Sequence, residues 1–234
     1  MEFDIVTRNV TVLVDHGGSY VFDMDYDYKT RFMYFPRYYT HDIVRFAYPS
    51  KNITLQTVIQ SLSSPTGIAV DSTNGHIYWC EYGTNRLSRC NLDGSNVTVL
   101  AVQSRPIEIQ LDVTNSNTCL GRVECKCNQE SSNLNSINCL ARVEYTEENR
   151  LYWINYHGDI LSAKDDGSNV KTILSTNDPR YYYAIRVIGR YIYYAHNNQL
   201  LMVTKTSGLT PTVLYYETSQ IYSIFVFNQS DCIN

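Results

Sequence analysis

The sequence lacks most of the features that mark an enzyme, a nucleic-acid binder or a membrane protein. No stretch approaches the ~18 consecutive apolar residues that a membrane-spanning helix needs. Charged residues make up only 18% of the chain, the formal net charge is −4, and there is no basic run. The electrostatic footprint of a nucleic-acid partner is therefore missing. The G-x-S-x-G elbow, the H-E-x-x-H zinc motif and the phosphate-cradling glycine loop are all absent. No catalytic residues, metal centre or cofactor are expected. Met1 is followed by Glu2 and Asp4 rather than by a basic and then apolar segment, so no secretory signal is expected at this start.

What the chain does have is tyrosine and short β-prone runs. Twenty-one tyrosines among 234 residues, with abundant Val, Ile and Thr, favour strands over helices. The length suits one large β domain with its own core. The stretch 65–100, PTGIAVDSTNGHIYWCEYGTNRLSRCNLDGSNVTVL, divides into β-prone runs at 67–71, 76–81, 86–91 and 96–100. Asn74-Gly75 and Asp93-Gly94 are hairpin pairs, and Gly83 lies between them. Four antiparallel strands in ~40 residues is the size of one propeller blade.

A single blade cannot bury both of its faces, so copies are required. The turn before the fourth strand recurs at Asn9, Asn52, Asn96, Asn133, Asn169 and, roughly, Thr210. The second strand recurs as Met33-Tyr34-Phe35, Ile77-Tyr78-Trp79, Leu151-Tyr152-Trp153 and Ile192-Tyr193-Tyr194. Two periods separate Tyr78 from Tyr152, and Cys127–Asn133 tracks Cys90–Asn96, which places a degenerate blade between them. The count predicts an all-β, six-bladed propeller over 1–231. Its blades are expected near 20–60, 65–102, 106–138, 140–175 and 181–216, with a closing blade built from 221–228 and 3–14. That closing blade would have no Tyr-Trp strand, so the chain reads as a piece of a larger protein.

PTGIAVDSTNGHIYW…NLDGSN and RLYWINYHGDILSAKDDGSNVKTIL resemble the LDL-receptor class B, or YWTD, repeat closely, and the resemblance extends over nearly the whole chain. The last two positions of the signature tetrapeptide are Pro36-Arg37, Cys80-Glu81, Ile154-Asn155 and Ala195-His196, so the family's aspartate is missing throughout. The resemblance implies a six-bladed extracellular module of a lipoprotein-receptor-related protein, non-enzymatic, with a protein ligand or a neighbouring EGF-like module as partner. Localisation would be extracellular or cell-surface. The alternative from another class is a secreted six-bladed hydrolase of lactonase type, with calcium held in the channel by first-strand acids. Asp23, Asp25, Glu108, Asp112 and Glu144 are the candidates for such a site, although turn capping and channel solvation account for them with fewer demands.

Seven cysteines point to an oxidising compartment. Cys119, Cys125, Cys127 and Cys139 crowd into the degenerate blade and are the disulfide candidates; two well-separated CxxC pairs are lacking, so zinc is not expected. Cys80 and Cys90 could pair across one hairpin or serve as small core residues. Parity leaves one free thiol, expected at Cys232. The resemblance places the start of a further module at 232–234. Asn-x-Ser/Thr acceptors occur at Asn9, Asn52, Asn96 and Asn228. Three of these share the turn before the outermost strand, where a glycan costs no packing.

The turns joining second to third strands, at 36–41, 81–85, 155–157 and 196–198, should gather around one mouth of the channel. They carry the candidate ligand face: Tyr38, Tyr39, Tyr82 and Tyr156 as anchors, and Arg37, Glu81 and Asn155 as polar contacts. Three of the five histidines, His41, His157 and His196, fall in the same turns. Imidazole titrates near pH 6.5, so this face would gain positive charge on mild acidification.

Overall fold

A computed structural model describes residues 2–3, 10–11, 14–15, 17–50, 52–112, 149–176, 184–206, 208 and 210–218. All the regular structure among them is β. After a short antiparallel pair, β1 (Glu2–Phe3) with β2 (Val10–Thr11), come four four-stranded antiparallel sheets.

The first sheet holds β3 (Asp25–Asp27), β4 (Phe32–Arg37), β5 (Asp42–Ala47) and β6 (Gln56–Ile59). The second holds β7 (Pro65–Asp71), β8 (His76–Glu81), β9 (Arg86–Asn91) and β10 (Thr98–Val102). The third joins β11 (Pro106–Asp112) to β12 (Arg150–Asn155), β13 (Ile160–Lys164) and β14 (Lys171–Leu174). The fourth holds β15 (Ile185–Ile188), β16 (Tyr191–His196), β17 (Gln199–Thr204) and β18 (Thr212–Tyr216). Each sheet is an up-and-down meander, the construction of a propeller blade.

The third sheet corrects the expected blade boundaries. The run beginning at Pro106 is a first strand, but its partner is the Tyr-Trp strand: Ile109 faces Trp153 and Leu111 faces Leu151. The stretches 106–138 and 140–175 are thus not two successive blades, because one blade draws on both and residues 113–148 connect its first two strands. Alternation identifies a strand as innermost without saying which later strand pairs with it. In the first blade, expected near 20–60, the inner strand β3 covers only Asp25–Asp27, and 19–24 leads into it outside any strand. The closing strand expected at 221–228 lies outside the described residues.

The second strands of the two middle blades, His76–Glu81 and Arg150–Asn155, are buried almost throughout, because blades stack on both of their faces. The core is accordingly layered between blades. Trp79 packs with Tyr34, Ile43 and Ile68 between the first and second blades, and Trp153 with Tyr78, Leu87 and Ile109 between the second and third. A third layer joins Tyr152, Ile160 and Ile185 to Tyr194 and Val203. Turn chemistry fixes the register. Asp71 Oδ1 accepts from the amides of Thr73 (2.9 Å) and Asn74 (3.0 Å), bracing the turn into β8. Gly94 and Gly167 take positive φ, 86° and 84°, in the turns into the fourth strands. A Cβ there would lie 2.2 Å from the Val58 carbonyl oxygen and 2.4 Å from that of Leu100, each on the outer strand of the preceding blade.

Candidate functional site

The four second-to-third-strand turns occur where the repeats place them, at 38–41, 82–85, 156–159 and 197–198. His41, Asn85, Gly158 and Asn197 supply the left-handed residue of each, with φ between 55° and 78°. Main-chain bonds then tie every turn to a connector, on both sides in the first two blades and on one side in the others. The carbonyls of His41, Asn85 and Asn198 accept from Leu62, Gln103 and Glu217 in the connectors that leave their blades (2.9, 2.7 and 2.7 Å). The amides of Tyr38, Tyr82 and Tyr156 donate to Tyr20, Ser64 and Arg105 in the connectors that enter them (2.9, 3.1 and 2.9 Å). This recurrence sets the turns side by side on one face.

Two aromatic clusters stand on that face. In the first, Tyr38 and Tyr39 (ring centroids 5.2 Å apart) meet Phe22 and Tyr20 at 5.6 and 5.1 Å respectively. Tyr20 and Tyr39 are more than half exposed, at 59% and 57%. In the second, Tyr82 and Tyr156 meet edge to face at 6.3 Å, and the Arg105 guanidinium lies 5.4 and 5.2 Å from their ring centroids. Such cation–π contacts favour a planar, weakly hydrated cation. Arg105, Tyr20 and Phe22 escaped the sequence reading because they sit in connectors rather than turns. Aligning Pro65 with Pro106 would have set Arg105 opposite Ser64.

The expected polar contacts are differently employed. Glu81 is buried: its carboxylate accepts from the Trp79 indole (3.3 Å), the Ser63 amide (3.0 Å) and the Thr84 hydroxyl (3.2 Å). Asn155 is also buried, its Oδ1 accepting from the amides of His157 and Asp159 at 2.9 Å each. Both brace the frame of the face rather than its surface. Arg37 Nε donates to Asp42 Oδ1 at 2.9 Å within a two-pronged ion pair. The three histidines share the turns but not one environment. His41 Nδ1 accepts from the Ser64 amide at 3.3 Å, His157 is exposed with its ring 5.7 Å from Tyr156, and His196 is half-buried at the end of β16.

A second polar group lies near the axis. Asp23 Oδ2 accepts from Ile68 N (3.1 Å) and Asp25 Oδ2 from Val70 N (2.7 Å), so acids of the first blade satisfy alternate amides on the inner strand of the second. Glu108 pairs with Arg186 at 3.1 Å. Burial pushes Asp23 up to about 7, against the Ile68 amide and Arg186, which lower it. Burial likewise raises Asp25, and burial with the neighbouring Asp23 raises Glu108 well above the usual carboxylate range. Asp112 forms an ion pair with Lys205, and Glu144 lies outside the described residues. Among the described residues no three His, Cys, Asp or Glu side chains converge as a metal-binding group.

Cys80 and Cys90 are free, buried thiols. Cys80 faces Leu87 and Cys90 faces Ile77 across the hairpin, too far along the register to pair, and they enter different core layers. The expected single free thiol is therefore corrected to at least two. Cys119, Cys125, Cys127, Cys139 and Cys232 lie outside the described residues, as do the acceptors Asn9 and Asn228. Asn52 and Asn96 are exposed.

Known proteins share this architecture. No established family profile matches the chain. Nidogen-2 of Mus musculus is 35% identical over 89 residues, 38% of this chain but only 6% of nidogen-2. A chain in the crystal structure of a nidogen/laminin complex superposes with a TM-score of 0.66 at 15% identity, over 90% of this chain and 70% of that one. A gluconolactonase from Xanthomonas campestris matches with a TM-score of 0.55 at 10% identity, over 81% and 60%. At such identities the structural likeness speaks for the fold. Repeats and likenesses together support a β-propeller fold. No helix among the described residues is long and apolar enough to cross a membrane.

Proposed function

We propose that this YWTD-type propeller is a non-enzymatic, extracellular protein-binding module of a larger receptor-related or matrix protein, and that its ligand docks on the face of the second-to-third-strand turns. The observation that carries this is the Tyr82–Arg105–Tyr156 cluster beside the exposed Tyr20–Phe22–Tyr38–Tyr39 group. Aromatic rings and arginine are the side chains that concentrate binding energy at protein interfaces. The likeness to nidogen-2 and to a nidogen/laminin complex lends support, and makes laminin the first ligand to assay. Immobilised laminin should retain the native chain, and Tyr82→Ala with Tyr156→Ala should weaken retention at least ~30-fold. Unaltered affinity in that folded double variant discards the face.

The histidines give this reading a pH arm. Nδ1 of His41 accepts a hydrogen bond, so its protonation removes an acceptor at the turn. Replacing His41, His157 and His196 with Gln is expected to flatten the binding profile between about pH 7 and 5.5. Glycans at Asn52 and Asn96, and an EGF-like module after 231, belong to the same reading. A channel hydrolase is the second reading, favoured by the gluconolactonase fold match and the axial acids. Equilibrium dialysis with calcium, together with a lactone-hydrolysis assay, separates the two.

A further inference from the structure

In the second blade, the turn between the second and third strands meets the connector into the third blade around one arginine. Arg105 takes a φ of 38°, a left-handed value for a residue that carries a side chain. Its backbone is held on both sides: the amide donates to Asn85 Oδ1 (3.0 Å), and the carbonyl accepts from the Tyr156 amide (2.9 Å). The guanidinium then stands 5.4 and 5.2 Å from the ring centroids of Tyr82 and Tyr156, which meet each other edge to face. Two blades thus hold one exposed cation between two rings.

Among the described residues this cation has no acid to answer it. A guanidinium carries five N–H donors in a fixed fork, and the acceptor that this one approaches is the Tyr82 hydroxyl, 3.5 Å from Nη1. Residues 82–86, 103–105 and 156–158 contain Arg86, Arg105 and His157 but no Asp or Glu, in a chain whose net charge is −4. Arg86, the first residue of β9, is exposed as well, and among the described residues neither arginine forms an ion pair. The acids that flank these stretches are committed to the frame. Glu81 holds Trp79, Ser63 and Thr84, and Asp159 Oδ1 holds the Ser175 hydroxyl (2.8 Å) and the Thr176 amide (3.1 Å). A surface of one sign, with its neighbouring acids employed elsewhere, is complementary to an acidic partner.

We infer that the Tyr82–Arg105–Tyr156 bracket is a carboxylate receptor, filled by an Asp or Glu side chain of a protein ligand; this rests on the docking face proposed above. Arginine binds a carboxylate through two parallel N–H···O bonds, which supply direction as well as affinity. The two rings and the pinned backbone hold the fork before the ligand arrives, so little side-chain freedom is lost on binding. Tyr82 and Tyr156 also give apolar contact to the rest of the same ligand segment. Sulfated polysaccharides carry anions too, but they are drawn to runs of basic residues, and this chain has none.

Selection from a random displayed-peptide library on the full chain tests this. The captured peptides are expected to share an Asp or Glu at one position. In the tightest of them, made synthetically, replacing that acid by its amide should weaken binding to the unaltered protein about 10-fold or more, a reading that needs no variant to fold. Arg105→Gln should weaken the acidic peptide by a similar factor and leave the amide peptide nearly unaffected, as coupling of the pair requires. Peptides that show no acid preference, yet are lost with Tyr82→Ala and Tyr156→Ala, overturn the receptor and spare the docking face. Peptides indifferent to Arg105→Gln and to the tyrosine changes, or the absence of any binder, overturn both. Retention on heparin that Arg105→Gln abolishes, with no acid among the selected peptides, overturns the receptor in favour of a sulfated glycan.

Discussion

The second and third blades are the best two copies of one repeat, and they differ where the copies would be expected to agree. Trp79 and Trp153 hold the same place in their second strands and both are fully buried. The Trp79 indole donates to Glu81, which also receives the Ser63 amide and the Thr84 hydroxyl. In the third blade Asn155 replaces Glu81, Gly158 stands where Thr84 would, and the amide of Asn155 turns into its own hairpin. The Trp153 indole N–H is left buried without a hydrogen-bond partner among the described residues. A similar divergence marks the inner strands, where Gly67 in one blade answers Glu108 in the other. Apolar alternation and turn residues hold the backbone frame constant. The polar lining of each seam is set anew in every copy.

Substitutions can break this comparison. The largest effect is expected at Gly67→Ala, where the new methyl meets backbone rather than a flexible side chain. Overpacking of that kind costs about 3 kcal/mol, read as a fall in urea midpoint, whereas Glu108→Ala removes bulk at the equivalent position and should cost less. Gly94→Ala and Gly167→Ala test whether the copies remain equal where they look equal. Each combines positive φ with a carbonyl in the way, and each should lose about 2 kcal/mol; a difference between them greater than about 1 kcal/mol would show the blades are not equally tight.

A smaller effect sharpens the contrast. Trp79→Phe removes a hydrogen bond to a buried carboxylate, while Trp153→Phe removes a donor that has no partner. The first should therefore be the more destabilising by about 1.5 kcal/mol, and equal losses would show that the two indoles are equally satisfied. Smallest of all, Cys80→Ser should lower stability slightly more than Cys90→Ser. Both thiols are fully enclosed, but a hydroxyl at 90 keeps the Asn91 carbonyl, 3.0 Å from Cys90 Sγ, as an acceptor.

How far the sequence could be read depended on whether a signal was local. His76–Glu81 and Arg86–Asn91 were legible to the residue, since Asn74-Gly75, Asn85 and Asp93-Gly94 delimit them and hairpin turns fix register. The positions of the mouth turns followed from the same repeats. The pairing of Pro106–Asp112 with Arg150–Asn155 was not legible, because the turn-like Cys127–Asn133 lies between those two strands and alternation carries no address. Tyr38, Tyr39, Tyr82 and Tyr156 were found as turn residues, but Arg105 was not, since its partners converge on it from two different blades. Glu81 and Asn155 show the opposite failure. Being charged or polar next to a turn made them look like surface groups, and only the packing of neighbouring blades reveals that they face inward.

The bonds that anchor the mouth turns run largely from main chain to main chain, from His41, Asn85 and Asn198 outward and from Tyr38, Tyr82 and Tyr156 inward. Side chains at the tips are therefore relieved of most of the work of holding the turns in place. Such a surface can be rewritten one hairpin at a time, much as antibody loops are grafted onto an unchanged sandwich. Exchanging 82–85 or 156–159 for turns of equal length that keep the left-handed residue should yield folded propellers with new binding preferences, which makes this chain a scaffold for selection as well as a module with a ligand of its own.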